Sequence, residues 1–285
     1  MNSTSNRSWQ IPGLPDQIVF NLINIVMKTM KTSIIALLIF FTAGIISAQE
    51  YKITVGNSKD GKLVLKDFNG SLPIEGYSGN DIIITSTSGK LTPPEKAKGL
   101  KPIYPAGSDN TGIGLDVQKT DNLITITCLI PFTKDGEYKI KVPEYLSLSL
   151  SSGCERNNDI QIKNMKNEID IESCHDIKLD GVTGPLVLST ISGNIDIIFS
   201  TINTTKSSSV GSVSGDIDIT LPVKTATDLQ LGVVSGAIYS DFDFSESQKN
   251  LKKVGGNETR YALNGGGFKF SIESVSGNIY LRKGN

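Results

Sequence analysis

Four copies of one short phrase set the frame for the second half of this chain. They read Ile191-Ser192-Gly193-Asn194-Ile195-Asp196-Ile197, Val213-Ser214-Gly215-Asp216-Ile217-Asp218-Ile219, Val234-Ser235-Gly236-Ala237-Ile238-Tyr239 and Val275-Ser276-Gly277-Asn278-Ile279-Tyr280. Their glycines, Gly193, Gly215, Gly236 and Gly277, are separated by 22, 21 and 41 residues, the last step about twice the unit. A fixed period in the low twenties predicts a stacked repeat, in which each unit buries its apolar face only against its neighbours. Such a stack is mostly surface, so the period constrains shape far more than chemistry.

Within the repeats, β-branched and polar residues alternate. Ile160-Gln161-Ile162, Ile169-Asp170-Ile171, Ile177-Lys178-Leu179, Ile195-Asp196-Ile197 and Ile217-Asp218-Ile219 are the clearest cases. Alternation puts aliphatic residues on one face of a strand and polar residues on the other. Strand starts near 160, 169, 177, 186, 195 and 217 give two strands and two turns per coil of roughly 20 residues. The Ser-Gly step suits a turn before each strand. The Ile-x-Ile that follows is expected to point inward as a ladder, with Asp196 and Asp218 left in water as that alternation requires. Nothing in the chain after residue 49 has helical periodicity. The fold class expected is therefore all-β, a single-stack β-solenoid of the β-helix kind. Looser strands precede it at Lys62–Leu65, Ile82–Thr85, Leu123–Thr127 and Leu146–Leu150, and Tyr77-Ser78-Gly79-Asn80 is a partial echo of the motif. Two stretches interrupt the pattern, the proline-rich 92–112 and the polar 241–267, which ends in Gly265-Gly266-Gly267. Both are expected to be loops leaving one side of the stack, either functional or merely tolerated. The second fills the double gap between the third and fourth motif copies.

The front of the chain has a different character. Lys28 and Lys31 precede an apolar run from Ile34 to Ile46, and Ile46-Ser47-Ala48 places small residues just before Gln49. That order is the signature of a secretory signal peptide, here 27–49. The run is shorter than the ~20 residues that span a bilayer. An uncleaved anchor is the rival reading. Residues 1–26, which hold the only tryptophan, Trp9, sit awkwardly before a signal. They are read as a mis-assigned or disordered extension, with Met27 or Met30 a better start than Met1. Cleavage after Ala48 leaves 237 residues with 25 basic and 28 acidic side chains, a net charge of −3. The mature domain then runs over 50–285.

The Ser-Gly-Asn/Asp-Ile-x-Ile repeats behind a signal peptide resemble those of the bacterial candidate-adhesin family with β-strand repeats, an exported domain of unknown function. The resemblance covers roughly 60–283 and is strongest from 159 onward. It implies a repeat fold and an adhesin-like surface role. It supplies no catalytic residue.

The residues themselves offer little chemistry. His175 is the only histidine, flanked by Ser173 and Asp176 as sequence neighbours, and no nucleophile-elbow motif surrounds any serine. One histidine and three cysteines lack zinc-site spacing. Asp196, Asp216, Asp218, Asp241 and Asp243 are the only abundant candidates for a polysaccharide hydrolase or lyase, and Asp241 with Asp243 comes nearest to a catalytic pair. Alternation already accounts for carboxylates at exposed positions, and no Gly-Gly-x-Gly-x-Asp calcium repeat is present. No cofactor or metal is expected. Lys249, Lys252 and Lys253 form a small cluster without interleaved aromatics, which argues against a nucleic-acid partner. Cys154 and Cys174 lie 20 residues apart, close to one coil. Equivalent positions on adjacent coils sit about 4.8 Å apart, within the Cα range of a disulfide. Either these two are linked and Cys128 is left over, or all three stay reduced. The expected function is an exported, non-enzymatic binding, adhesin-like or scaffolding module. It would belong to the bacterial periplasm, outer membrane surface or exterior. Its partner would be an envelope protein or glycan, and it would meet the membrane only through an uncleaved signal. The alternatives are a carbohydrate-active β-helix enzyme and a self-assembling structural protein.

Mass spectrometry of protein recovered from its native envelope should find a start near Gln49 or Glu50. A retained Ile34–Ile46 peptide would identify an anchor instead. Non-reducing peptide mapping of the same sample tests the cysteines. An oxidising compartment favours a linked Cys154–Cys174 peptide, and a linkage through Cys128 would contradict the proposed coil register.

Overall fold

The computed structural model describes residues 21, 26–27, 49–55, 60–86, 95–100, 102–131, 136–156, 159–244 and 258–284. The extension and signal readings and the lysine cluster at 249–253 fall almost wholly outside these residues. The chain divides into a unit of residues 1–47 and a unit of residues 48–285, and the fold below is that of the second. Among the described residues no helix is long and apolar enough to cross a membrane.

Strands form wherever aliphatic and polar residues alternate. The first half holds β1 (Gln49–Thr54), β2 (Lys62–Lys66), β3 (Leu72–Tyr77), β4 (Asp81–Ser86), β5 (Leu115–Thr120), β6 (Leu123–Cys128), β7 (Tyr138–Pro143) and β8 (Ser147–Ser151). The repeats supply β9 (Ile160–Lys163), β10 (Ile169–Ser173), β11 (Ile177–Val182), β12 (Leu186–Thr190), β13 (Ile195–Phe199), β14 (Ser208–Ser214), β15 (Ile217–Pro222), β16 (Thr227–Ser235), β17 (Ile238–Ser240), β18 (Glu258–Leu263), β19 (Phe268–Ser276) and β20 (Ile279–Gly284). They make two ten-stranded, mostly parallel sheets. The first has the order β1-β4-β7-β3-β9-β11-β13-β15-β20-β17, and the second β18-β16-β19-β14-β12-β10-β8-β2-β6-β5. From β8 to β17 each successive strand changes sheet.

This alternation between sheets stacks like upon like. Ile160 pairs with Ile177, Ile177 with Ile195, Ile195 with Ile217 and Ile217 with Ile279. All five are at most 1% exposed. The second sheet answers with Leu150, Ile171, Leu188, Val210, Ile272 and Leu231 in one column. The inward residues of both sheets belong to one hydrophobic core. Each buried aliphatic contributes on the order of 1.5–3 kcal/mol.

The order of the repeats in space is not their order in sequence. β19 and β20, which carry the fourth motif copy, lie between the second copy (β14–β15) and the third (β16–β17). The glycines therefore stack as Gly193, Gly215, Gly277, Gly236. The double gap is not a loop spanning an absent coil. The chain runs one rung too far, turns back through β18, which pairs antiparallel with β16, and fills the rung it skipped. The expected loop at 241–267 thus contains a strand at 258–263. At the other end β2 and β3 are likewise enclosed, between β8–β9 and β6–β7. Antiparallel strands flank this end in both sheets, with β5 on β6 and with β4 and then β1 on β7, whereas at the opposite end β18 is antiparallel and β17 pairs in parallel with β20. The other interruption, 92–112, adds no strand among its described residues, only a short 3-10 turn at Glu95–Ala97.

The motif residues hold one rung to the next. The Asn194 N–H donates to Asp176 Oδ1 (2.8 Å), the Asp216 N–H to Asn194 Oδ1 (2.9 Å), the Asn278 N–H to Asp216 Oδ1 (2.7 Å) and the Ala237 N–H to Asn278 Oδ1 (3.0 Å). Alternation alone does not account for these polar residues. At this position each asparagine or aspartate accepts the backbone N–H of the next rung. Ala237 breaks the motif on the rung beyond which no described strand follows. Gly215 faces the Gly193 carbonyl and Gly236 the Gly277 carbonyl so closely that a Cβ would overlap it. Buried hydroxyls form a parallel column, with Thr190 Oγ1 donating to His175 O (2.9 Å), Ser212 Oγ to Gly193 O (3.3 Å) and Ser274 Oγ to Gly215 O (3.3 Å).

Urea unfolding should rank three substitutions. Ile217→Asp buries a carboxylate at a fully enclosed position and should cost several kcal/mol, roughly 3 or more. Asn278→Ala removes one ladder acceptor and should cost about 1 kcal/mol. Ala237→Asn should stay within about 0.5 kcal/mol, because nothing donates to it. Equal costs for the last two would contradict the rung order.

Candidate functional site

Cross-strand register brings residues that are remote in sequence onto one outer face. At the β18 end of the second sheet, Arg260, Gln230, Ser271 and Ser209 form a row across β18, β16, β19 and β14. Beside it, Ala262, Asp228 and Lys269 form a second row. Together with Ser207, Tyr261 and Gly265 these residues line a trough of about 810 Å³. That size lies in the range of small-molecule sites. The trough combines apolar surface from Leu229, Tyr261 and Ala262 with groups of both charges and several hydroxyl and amide donors.

Its supports are fixed from below and from the side. Thr227 Oγ1 donates to Phe268 O (2.8 Å), tying β16 to β19. Asn264 Nδ2 donates to Val223 O (2.9 Å) and Thr225 O (2.8 Å), which holds the turn between β18 and β19. The Tyr261 ring packs on Phe244 with centroids 4.3 Å apart. Ser271 Oγ donates to Glu273 Oε1 (3.0 Å). The arrangement can bind a polar ligand by hydrogen bonds.

The residues singled out from the sequence lie elsewhere. Cys154 and Cys174 follow the neighbouring strands β8 and β10, with Cα atoms 5.1 Å apart and the two joined as a disulfide. Cys128 is buried and free, and desolvation pushes its thiol pKa up. The His175 N–H donates to Ser173 Oγ (3.0 Å), while its buried Nε2 has no hydrogen-bond partner. Of the carboxylates, Asp196 and Asp218 are register neighbours on β13 and β15. Asp216 belongs to the ladder. Asp218 accepts two bonds from Arg282 Nε (2.8 and 2.9 Å) and one from Nη2 (2.7 Å). Both oxygens of Asp241 accept the Lys283 N–H (2.8 and 3.0 Å), so this carboxylate binds β20 rather than opposing Asp243 across a site. Among the described residues no group of three or more His, Cys, Asp or Glu could hold a metal.

Of the two interruptions, 241–267 reaches the trough, because β18 forms its outer wall. The segment 92–112 instead turns its polar groups on itself. Asp109 Oδ1 accepts the N–H groups of Thr111 (3.0 Å) and Gly112 (2.8 Å), and Oδ2 that of Gly114 (3.1 Å). The Asn110 side chain pairs with the Val117 backbone at 2.8 and 2.9 Å, occupying the free edge of β5. A second cavity, of about 580 Å³, lies beside Pro73 and Tyr138. There the buried Tyr138 hydroxyl donates to Ile113 O (2.5 Å), and burial holds its pKa far above the ordinary value. Sequence reading missed Gln230, Lys269 and Ser271. Each is only the exposed member of an alternating strand, and nothing local links 209, 230, 260 and 271.

Residues 112–282 match the Toastrack DUF4097 family model, and the chain belongs to that family. No curated protein matches it. Among solved structures, a candidate cell-adhesion protein from Clostridium sporogenes is 12% identical over 84% of this chain and 100% of its own, with a TM-score of 0.42. A candidate adhesin from Bacteroides fragilis is 15% identical over 84% of this chain and 100% of its own, with a TM-score of 0.32. Another from Parabacteroides distasonis is 11% identical over 84% and 97%, with a TM-score of 0.30.

On the outer face of the first sheet, Asp196 stacks between Lys178 and Asp218. Desolvation raises its pKa, Lys178 opposes this, and Asp218 and Asp176 add to it. A carboxyl raised on folding weakens the fold where it is ionised, and this penalty fades as pH falls through the raised value. Asp196→Asn should therefore stabilise the protein at pH 7, by less than about 1 kcal/mol after solvent screening. The gain should vanish below the ordinary carboxylate range. Thermal melts across pH check this, and a gain that grows in acid would contradict it.

Proposed function

We propose that this Toastrack DUF4097 protein is an exported, non-enzymatic binding module of the bacterial cell envelope, with its two sheets closed as a single-stack β-solenoid. The observation that carries the reading is the trough, which gathers charged and hydrogen-bonding groups from four strands of the ladder. The secretory order of residues 27–49 and the Cys154–Cys174 pairing favour an oxidising, exported setting. Of the carboxylates that would serve a hydrolase or lyase, Asp216 is taken up by the ladder, Asp218 by Arg282 and Asp241 by the backbone of β20. Self-assembly through strand edges is disfavoured by the antiparallel strands β1, β5 and β18 at three of the four sheet edges and, at the fourth, by Ala237, whose side chain offers no acceptor to a further rung.

Co-sedimentation of the purified mature protein with isolated envelopes should be saturable. Reducing-end assays on the same envelopes should show no new sugar ends. Release of reducing ends that is lost in an Asp241→Asn, Asp243→Asn double variant would establish the enzyme instead. Absence of co-sedimentation would overturn the binding module.

A further inference from the structure

Beyond the lining of the trough lies a further row. Glu258, Gly232, Glu273 and Gly211 are in register across β18, β16, β19 and β14. This row sits one step beyond the row of Gln230, Ser271 and Ser209. A glycine inside a strand weakens it and marks a place where something approaches the backbone closely. Neither glycine has a positive φ. A Cβ at Gly211 would meet nothing within 4 Å, and one at Gly232 only Glu273 Cγ at 3.4 Å. Neither backbone geometry nor packing against the protein requires them. They leave open space on both sides of Glu273, whose carboxylate already accepts from Ser271 Oγ (3.0 Å).

Resting on the binding-module reading, we propose that the trough and this glycine-flanked row together bind a neutral oligosaccharide chain. The lining chemistry selects the class. These rows hold three acidic residues, Asp228, Glu273 and Glu258, against two basic ones, Arg260 and Lys269, so an anionic ligand gains nothing from them overall. Carboxylates, the Gln230 amide and the hydroxyls of Ser209 and Ser271 suit a ligand with many adjacent hydroxyl groups. An extended peptide fits less well. Peptides add to a sheet edge or seat side chains in apolar pockets, whereas Gln230, Ser271, Ser209, Glu273 and the two glycines stand on β16, β19 and β14, which are paired on both edges. With no side chain at 211 and 232, a sugar ring can lie against the strands and reach Glu273 from either side.

Calorimetric titration of the mature protein with cellohexaose, maltohexaose, xylohexaose and chitohexaose tests this, with polygalacturonate and a neutral extended peptide as controls. At least one neutral hexasaccharide should bind. The Gly211→Val, Gly232→Val variant should weaken that binding roughly tenfold or more while its melting temperature stays level or rises, because valine suits a strand. A structural role for the glycines predicts the opposite, a fall in melting temperature. Should that variant misfold, Glu273→Gln and Gln230→Ala provide the same readout on an unaltered backbone, and unchanged affinity in both overturns the proposal. Preferred binding of polygalacturonate or of the peptide overturns the ligand class. Envelope co-sedimentation that persists with no hexasaccharide binding overturns this proposal and leaves the binding module standing.

Discussion

Everything in this molecule depends on parallel backbone pairing between one rung and the next. In that geometry a residue meets its own counterpart, about 4.8 Å away. A column must therefore be composed of side chains that tolerate self-contact. Isoleucine on isoleucine buries surface on both sides, as from Ile160 to Ile279. Asparagine or aspartate on the next rung's amide supplies a hydrogen bond, as at 194, 216 and 278. Glycine on a carbonyl allows the turns to nest, as at Gly215 and Gly236. The phrase repeated in the sequence is this set of three columns written out along the chain.

A ladder of this kind must end somewhere, and its last strands carry unpaired backbone groups. Here the chain encloses one pair of strands near each end. β2–β3 lie between β6–β7 and β8–β9, and β19–β20 between β14–β15 and β16–β17. The edge strands β1, β5 and β18 pair antiparallel, while β17 pairs in parallel with β20. β19 and β20 thus follow β16 and β17 in sequence yet lie inside them in space, and Ala237 marks the rung where the acceptor column stops.

The inward faces are committed to packing and the corners to the ladder. The outer faces are left to vary, and variation there costs the fold little. The trough lies where β14, β16, β18 and β19 meet. Ser209 and Ser271 are 62 residues apart in the chain, yet register places Ser209, Ser271, Gln230 and Arg260 in one row. The reversal that inserts β19 also creates β18 and with it the outer wall. The capping device and the candidate site are thus products of one detour in the chain.

The sequence by itself determined the strands and the period. Alternation fixed which face of each strand is buried, and the recurring Ser-Gly-Asn/Asp-Ile fixed which residues stack. It also put Cys154 and Cys174 one coil apart. Local pattern suffices for these because each is a property of a residue and its near neighbours. The order of the rungs was decided only in three dimensions. Four similar motif copies are interchangeable as partners, and the choice among them turns on where the chain between Asp241 and Phe268 can travel. Ala237 in place of asparagine is the one local trace of that choice, legible only once the ladder hydrogen bonds are known. The trough belongs to the tertiary structure for the same reason. Its rows run across strands, perpendicular to the sequence, and no spacing along the chain encodes a neighbour that register alone supplies.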